Sequence, residues 1–546
     1  MQNIQSFYPS VDGNEQQREA MLQAISTIIT SIDNLKDPSK LHLGGMLPNQ
    51  DNYYNNVVNQ AQVPQASSTL EETINSLLPL LNGQRLINGS YVANATPLPT
   101  TSSIVGHLLM TLLNGNNVWD VECIASATAE VQITSMLSKV VGYDEQLSGG
   151  YTTWGGQGAV FNSLRLAIAR TFPHSNTQGV PDNIYCFCSE IAHYSLYKSM
   201  QATGIGTDNL IKVKTNVHNE MDINDLREKM EQVISYGGIP TYVLATMGST
   251  DAFSVDNIQE VKQVCTELEQ EHNLSPIFIH ADSAMGCIFA FLNDYDLTEN
   301  KLNVPEHLLP IVKAYQEKFK YMYLADSMVF DFHKLGQTPY ATSLFMVKDK
   351  SNFKYVDLEP DETPYIGNRA FGSYHTSYTL ECSRAGTALP ILAAINNLGV
   401  EGYQRILIHY LAVNYAFREQ LQKAFPNVAI TNDVSPMTTF RFYQEGVDGQ
   451  KEWQKERIGQ FSKAEMEKIN SYNSDLYEYL SQFRDEIYYG STRKQRPVQP
   501  LGELTKEPVF VLKFFPISMF TTVENIPSYV EFLKKHVKSF NLLEVK

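Results

Sequence analysis

The feature that most constrains the fold is the alternation of short apolar runs with amphipathic segments between residues 100 and 350. Periodicity predicts helices between the runs, and Asp222 and Asp256 each stand where a helix N-cap is expected. Strands that alternate with helices favour a mostly parallel sheet with helices on both faces, an α/β fold. The predicted strands are IYCFCSE (184–190), TYVLATMG (241–248), PIFIHAD (276–282), YMYLADS (321–327) and SLFMV (343–347).

The chain of 546 residues is too long for one ordinary core, and its pattern divides it into three parts. Residues 1–95 read as an N-terminal helical arm, with helices near 20–32 and 70–81. Residues 96–384 carry the strand and helix alternation of a large domain. Residues 385–546 read as a smaller C-terminal α+β domain. It begins with helices at 385–398 and 403–425 and continues with a strand pair near 428–443.

Charge and apolar patterning exclude several classes of protein. The formal net charge of −17 disfavours a nucleic-acid partner, and no run of about 18 apolar residues predicts a membrane span. The first residues contain neither a basic region nor an apolar leader, so we expect a cytoplasmic protein. The six cysteines form no C-x-x-C pair, and we expect them to be reduced.

A glycine-rich stretch, GGYTTWGGQGAVFN (149–162), stands directly before a helical pattern. Glycines at a helix N-terminus let an anion approach unpaired N–H groups, which indicates a phosphate site. The stretch is neither a Walker loop nor G-x-G-x-x-G. The alternative is a turn that only lets helix and sheet pack closely.

Three further segments follow predicted strands, and each permits a plainer interpretation. In DFHKLGQTPYATS (331–343), burial of Lys334 would depress its pKa and favour attack on a carbonyl, although a surface lysine is the simpler alternative. In HADSAMG (280–286), Asp282 either faces a ligand or caps the next helix. In SEIAHYSLYKSM (189–200), His193 either stacks on a planar ring or fills the core. No metal is expected, since His280 and Asp282 lack a third ligand at a recognisable spacing.

Together and in this order, these motifs resemble the pyridoxal-phosphate (PLP) group II amino-acid decarboxylases, closest to the bacterial tyrosine, aromatic and glutamate branches. The resemblance covers roughly residues 90–400. It rests on D-x-H-K, H-x-D-x-A and A-H-Y-S, together with ATMGSTDAFSVDNI (245–258), SSIVGHLL (102–109) and LECSRAG (380–386). It implies the PLP-dependent transferase fold type I, similar to aspartate aminotransferase.

The resemblance also implies a reaction and roles for particular residues. The chain would be a carboxy-lyase of amino-acid metabolism that converts an L-amino acid to an amine and CO2 through a Schiff base on Lys334. Asp282 would pair with the pyridine nitrogen, His193 and Ala284 would cover the two ring faces, and Thr246 would support Asp282 or the ring. Gly155, Gly156, Gln157 and His333 would surround the phosphate. Tyr365 is the candidate proton donor.

The chain departs from the family at the glycine loop, and other interpretations stay open. Trp154, Gln157 and Val160 replace the usual Ser/Thr pair and Asn, so the phosphate contacts are in doubt, although a Gln side chain can donate to phosphate. One rival is a carbon–carbon lyase of the sphingosine-phosphate lyase type, and another is a non-catalytic protein with the PLP fold. The family implies a homodimer with the site at its interface. Aromatic amino acids, glutamate, aspartate and diaminobutyrate all remain candidate substrates.

Overall fold

The structure is a computed structural model that describes residues 4–45, 52–363 and 374–544. Among these residues the α-helices are α1 Glu15–Leu35, α2 Tyr53–Gln60, α3 Leu70–Leu77, α4 Thr101–Leu113, α5 Asp120–Val141, α6 Gly156–Thr171, α7 Ser175–Gln178, α8 Ser195–Ala202, α9 Ile223–Ser235, α10 Ile258–His272, α11 Leu309–Phe319, α12 Ala388–Ala424, α13 Gly449–Glu456, α14 Lys463–Leu480 and α15 Ile526–Glu544. The strands are β1 Tyr91–Val92, β2 Gly149–Thr153, β3 Ile184–Ser189, β4 Leu210–Val213, β5 Ile239–Thr246, β6 Phe278–Asp282, β7 Ser327–Asp331, β8 Ser343–Val347, β9 Val428–Ile430, β10 Thr438–Phe442, β11 Tyr488–Thr492, β12 Pro497–Val498, β13 Glu507–Pro508 and β14 Val511–Phe514.

The larger sheet has seven strands in the order β2-β8-β7-β6-β5-β3-β4. Strands β4, β3, β5, β6 and β7 pair in parallel, and only the pairings that involve β8 are antiparallel. The mostly parallel sheet predicted from the sequence is therefore confirmed. Because parallel strands point the same way, β5, β6 and β7 all end at one edge of this sheet.

Both faces of this sheet are covered by apolar residues. On β5, Val243 packs into one buried cluster, whereas its neighbours Tyr242 and Leu244 pack into the other. On β6, Ile279 and Phe278 divide in the same way. Successive side chains point to opposite faces of the sheet, and both faces are buried. These strands therefore read as continuous apolar runs rather than as alternating ones.

A second sheet of five strands has the order β1-β11-β14-β10-β9. Its strand β1 comes from the segment that the sequence assigned to the N-terminal arm, and it pairs in parallel with β11. A two-residue strand is too short for a periodicity signal, so only the folded chain reveals this contribution. The proposed domain boundaries at 95 and 384 stay a prediction.

One predicted strand differs from the structure. The run at 321–327 is not a strand, because Met322–Leu324 forms a 3-10 turn and β7 begins only at Ser327. A short apolar run fits a buried turn as well as a strand, which explains the error. The helices predicted at 385–398 and 403–425 are confirmed, because α12 is kinked at Gly399, where φ is 60°, and this kink separates the two.

The helix starts were predicted with mixed success. Asp222 caps α9 as expected, since its side chain accepts hydrogen bonds from the backbone N–H groups of Asn224 and Asp225. The cap of α10 is Asn257 and not Asp256. Among the described residues, no helix is long and apolar enough to cross a membrane.

Candidate active site

A cavity of about 220 Å³ lies at the carboxyl edge of the large sheet, where β5, β6 and β7 end. The sequence-predicted cofactor residues all line it: Gly155, Gly156, Gln157, His193, Thr246, Asp282, Ala284, His333 and Lys334. Tyr365, the predicted proton donor, lies outside the described residues. Five segments separated by up to 179 positions in the chain therefore meet in one place.

Lys334 forms an ion pair with Asp331, the carboxylate that ends β7 three residues earlier in the chain. Its Nζ lies 2.8 Å from Oδ2 of Asp331, which is 1% exposed. Burial acts to lower the pKa of Lys334, but the Asp331 carboxylate outweighs it and the pKa is raised. The expected depression of this pKa is therefore wrong for this state, and attack on a carbonyl requires that the ammonium first give up a proton.

Asp331 is the acidic member of the ion pair with Lys334. Burial acts to raise the pKa of Asp331, yet Lys334 and His333 oppose it, and the pKa is lowered overall. Oδ1 of Asp331 also accepts a hydrogen bond of 2.5 Å from the Ser343 hydroxyl. A charged Asp331 thus fixes the position of the lysine at the strand end.

Asp282 ends β6 in the same cavity. Burial raises its pKa to about 6, while the positive charge of Lys334 acts in the opposite direction. A carboxylate that is costly to ionise in a buried site is stabilised by any cation placed beside it. Asp282 is therefore suited to hold a protonated ring nitrogen.

Thr246 stands opposite Asp282 in the pairing of β5 with β6, and a second buried carboxylate holds it there. Oδ2 of Asp256 accepts a hydrogen bond of 2.7 Å from the Thr246 N–H, and Oδ1 accepts one of 2.7 Å from the Met221 N–H. This is why Asp256 does not cap α10. The Thr246 hydroxyl is buried and has no partner among the described residues.

Both histidines of the cavity are held in the neutral form. Burial, followed by the charge of Lys334, lowers the pKa of His193, and burial also lowers the pKa of His333 although Asp331 opposes it. Nδ1 of His193 accepts a hydrogen bond of 3.3 Å from the Ser195 N–H. A neutral imidazole can lie flat against an aromatic ring without placing a second charge beside Lys334.

The glycine loop has two positions that disfavour a side chain, one by its backbone conformation and one by lack of space. Gly155 has φ 136°, a conformation that L-residues rarely adopt. A Cβ at Gly156 would lie 2.7 Å from Oδ2 of Asp331. Helix α6 begins at Gly156, so the unpaired N–H groups of its first turn face the cavity edge beside Asp331.

The side chain of Gln157 is already engaged within the protein. Its Nε2 donates to the Ser195 carbonyl at 3.1 Å and to the Ser199 hydroxyl at 3.0 Å. An amide nitrogen carries two hydrogens, and both are used. The expectation that this side chain donates to a phosphate is therefore not met, and only the backbone N–H of Gln157 is left for that purpose.

The residues present fit pyridoxal 5′-phosphate. A lysine for its carbonyl, a buried carboxylate for its ring nitrogen, a neutral histidine for a ring face and a helix start for its phosphate all line one cavity. Two buried hydroxyl oxygens on the cavity lining, of Thr246 and Ser195, lack partners among the described residues, as expected of a site that a polar ligand completes.

A buried ion pair supports the strand that leads into the glycine loop. Glu130 accepts hydrogen bonds of 2.7 Å from both the N–H and the hydroxyl of Thr152 on β2. Arg384 closes the pair with an Nη2 to Oε2 distance of 2.5 Å. Arg384 belongs to the segment LECSRAG, so this motif contributes to the fold beneath the site rather than to the cavity lining.

The sequence missed several lining residues. They are Ser195, Gly248, Ser249, Thr250, Met285, Asp331 and Tyr340. Asp331 and Ser195 belong to the D-x-H-K and A-H-Y-S segments, so the motifs did contain a signal for them. Tyr340, whose ring centroid lies 4.3 Å from that of His333, also lies in a segment singled out from the sequence, DFHKLGQTPYATS.

Comparison with known proteins agrees with this geometry. The model of the pyridoxal-dependent decarboxylase conserved domain matches residues 89–294. L-2,4-diaminobutyrate decarboxylase of Acinetobacter baumannii is 25% identical over 329 residues, which are 56% of this chain and 58% of the relative. L-tyrosine decarboxylase of Enterococcus faecium is 29% identical over 251 residues, 42% of this chain and 40% of the relative. The matches thus span about half the length of these relatives.

The crystal structure of Oryza sativa TDC with PLP and tryptamine shares the fold. It superposes with a TM-score of 0.76 at 17% identity and covers 97% of this chain and 99% of that one. The predicted fold type I architecture is confirmed. Residues 89–294 therefore match the pyridoxal-dependent decarboxylase conserved domain, and the chain has the fold of the solved structure it resembles.

Proposed function

We propose that this protein decarboxylates an L-amino acid to the corresponding amine and CO2. The observation that carries the proposal is the ion pair between Lys334 and Asp331 in one cavity with the buried carboxyl group of Asp282. When bound, pyridoxal phosphate supplies an electron-accepting ring that stabilises the charge left on the α-carbon. The protein's part is to bind, orient and protonate.

Each lining residue receives a role from its position. Lys334 would hold the cofactor through its Nζ, at the position of the cofactor's carbonyl carbon. Asp282 holds the ring nitrogen protonated, and the hydroxyl of Thr246 lies within the same lining to support it. His193 covers one ring face and Ala284 the other. The N–H groups of Gly156 and Gln157, the open space at Gly155 and the imidazole of His333 receive the phosphate.

Tyr365 stays our candidate for the proton donor. It would place a proton on the α-carbon after CO2 leaves, the step that separates decarboxylation from other outcomes. Its support is the resemblance alone. The substrate also stays open, since the named relatives act on diaminobutyrate and tyrosine, two chemically different amino acids.

The two rival functions are less well supported. The two relatives named above are decarboxylases and not carbon–carbon lyases. A non-catalytic protein has no need for a buried aspartate that is costly to ionise, yet burial raises the pKa of Asp282 to about 6. Cytoplasmic location stays a prediction from the sequence.

A substrate screen tests the proposed activity. Protein loaded with pyridoxal phosphate is incubated separately with diaminobutyrate, aspartate, glutamate, tyrosine and tryptophan, and released CO2 and amine are measured. We expect equimolar CO2 and amine from at least one of them. Cleavage of a carbon–carbon bond without CO2 favours the lyase, and a protein that binds the cofactor but changes no amino acid favours the non-catalytic alternative.

We also propose that two copies of the chain form a homodimer through the face that contains α4. Six apolar residues of this helix are exposed: Ile104, Val105, Leu108, Leu109, Leu112 and Leu113. Contiguous apolar surface of this kind marks an interaction site. The start of α4 also contacts the active-site segment, since the Thr100 N–H donates to the carbonyl of Gln337 at 2.8 Å. A second copy packed on α4 would therefore border the cavity.

Leu112→Glu is expected to separate the two copies. The Leu112 side chain is 55% exposed in the single chain, and a carboxylate buried at an interface costs far more than the lost apolar contact. We expect the dissociation constant to rise about 100-fold or more, measured by analytical ultracentrifugation. The control Leu504→Glu changes a residue that is 95% exposed in the small domain and should leave the dimer intact. A wild-type monomer at micromolar concentration would contradict the interface.

A further inference from the structure

Two helices begin at the same end of the cavity. Helix α6 starts at Gly156, and α8, with eight residues, starts at Ser195. The side chain of Gln157 joins the two starts through its hydrogen bonds to the Ser195 carbonyl and the Ser199 hydroxyl. Each helix N-terminus carries a partial positive charge and unpaired N–H groups, so an anion between them is attracted by both.

The hydroxyl of Ser195 is the unusual group at this junction. Ser195 is 2% exposed, it lines the cavity, and its Oγ has no hydrogen-bond partner among the described residues. Leaving a buried hydroxyl unpaired is costly. By contrast, the nearby Ser199 hydroxyl both donates to the Ser195 carbonyl and accepts from Gln157. Of Ser195 and Ser199, only Ser195 has a hydroxyl group that is free to donate a hydrogen bond to a ligand.

The glycine loop itself provides no hydroxyl between Trp154 and Val160. Asp331 also lies close to Gly156 and would repel an anion there, although the charge of Lys334 compensates it. An anion over this loop therefore meets only backbone N–H donors there, and a hydroxyl donor has to come from outside the loop. Ser195, held against the loop by Gln157, is placed to supply one.

We propose that the Ser195 hydroxyl donates a hydrogen bond to the phosphate group of the cofactor, and that Gln157 is the positioning residue that fixes Ser195 beside the glycine loop. This rests on the proposed function, because it takes pyridoxal phosphate as the occupant of the cavity. Ser195 thus supplies a hydroxyl donor that residues 154–160 lack. This hydrogen bond involves no covalent step, and its expected effect is on the affinity of the protein for the cofactor.

The test compares two ligands that differ only in the phosphate. Cofactor-free wild type, Ser195→Ala and Gln157→Ala are titrated with pyridoxal phosphate and with pyridoxal, and binding is followed by absorbance and tryptophan fluorescence. For Ser195→Ala, we expect the dissociation constant of pyridoxal phosphate to rise about 10- to 100-fold, because the hydrogen bond is to a charged group. The constant for pyridoxal should stay within about twofold. Gln157→Ala should shift in the same direction by less.

Ser163→Ala is the matched control. Its hydroxyl is equally buried but is already bonded to the Val160 carbonyl and the Tyr242 hydroxyl, so the ratio of the two dissociation constants should equal that of wild type. Equal weakening of both ligands by Ser195→Ala would show a structural role and overturn the proposal. No effect on either ligand would overturn it as well, while leaving the cofactor assignment intact. A wild type that binds neither ligand would overturn the proposed function itself.

Discussion

Lys334→Ala and Lys334→Arg are both expected to lose activity by about 10³-fold or more, because neither side chain can form a bond to the cofactor's carbonyl carbon and release it again. The two variants should differ in stability. Arginine keeps a cation beside Asp331, which lies 2.8 Å from Lys334 Nζ, whereas alanine removes the lysine that pairs with that buried carboxylate. Loss of activity in the stable arginine variant therefore reports on chemistry and not on folding.

The measurement is the rate of CO2 release together with the midpoint of denaturant unfolding. Lys301→Ala serves as the control, since Lys301 is an exposed lysine paired with Glu299 at 3.2 Å. Lys301→Ala should match wild type in both the rate of CO2 release and the midpoint of unfolding. Activity of Lys334→Arg within about tenfold of wild type would remove the lysine from the mechanism.

Asp282→Asn is expected to lower activity by about 10³-fold while it stabilises the cofactor-free protein. The neutral amide cannot hold the ring nitrogen protonated, and removing a charge aimed at the reacting system typically costs this much. The stability gain follows from burial, which raises the pKa of Asp282 to about 6 from the ordinary 3.8. Between these two pH values the folded chain binds more protons than the unfolded chain, so this carboxyl group lowers stability as pH rises.

The asparagine variant does not ionise and escapes this cost. The gain in the free energy of unfolding should be about 3 kcal/mol at pH 8 and about half of that at pH 5. These values follow from converting the difference between the folded and the ordinary pKa into free energy. Denaturant unfolding at the two pH values measures it, with the exposed Asp294→Asn as the control. Equal stability of variant and wild type at both pH values, or nearly full activity, would contradict the role of Asp282.

The strands that position the site were visible in the sequence because they are buried on both faces. β3, β5, β6 and β8 follow apolar runs closely, and the polar residues after them mark the carboxyl edge of the sheet. The exception, β7, was misplaced by several residues. Its preceding run folds as the 3-10 turn Met322–Leu324, which presents the same apolar composition.

The electrostatics of the site were not accessible from the sequence. Burial of Lys334 alone suggested a lowered pKa, and only the position of the Asp331 carboxylate reverses the direction. In the same way, the identity of Gln157 suggested a phosphate donor, whereas its hydrogen bonds to Ser195 and Ser199 consume both of its N–H groups. The Gln157 contacts join segments 38 and 42 positions apart, and although Asp331 is only three residues from Lys334, local patterns do not encode the direction of its side chain.

The buried pair of Glu130 and Arg384 shows the same limit. The two residues are separated by 254 positions, yet they join β2 to the segment that precedes α12. Neither residue lies in the cavity lining. Their contribution is to fix the end of β2, from which the glycine loop begins.

The central claim is that Lys334 carries pyridoxal phosphate, and one measurement tests it most directly. The protein is saturated with pyridoxal phosphate, reduced with borohydride, digested and analysed by peptide mass spectrometry. The account predicts a single stoichiometric cofactor label on Lys334, absent from Lys334→Arg. Label spread over surface lysines, or no label on Lys334 in protein that has bound the cofactor, would contradict it.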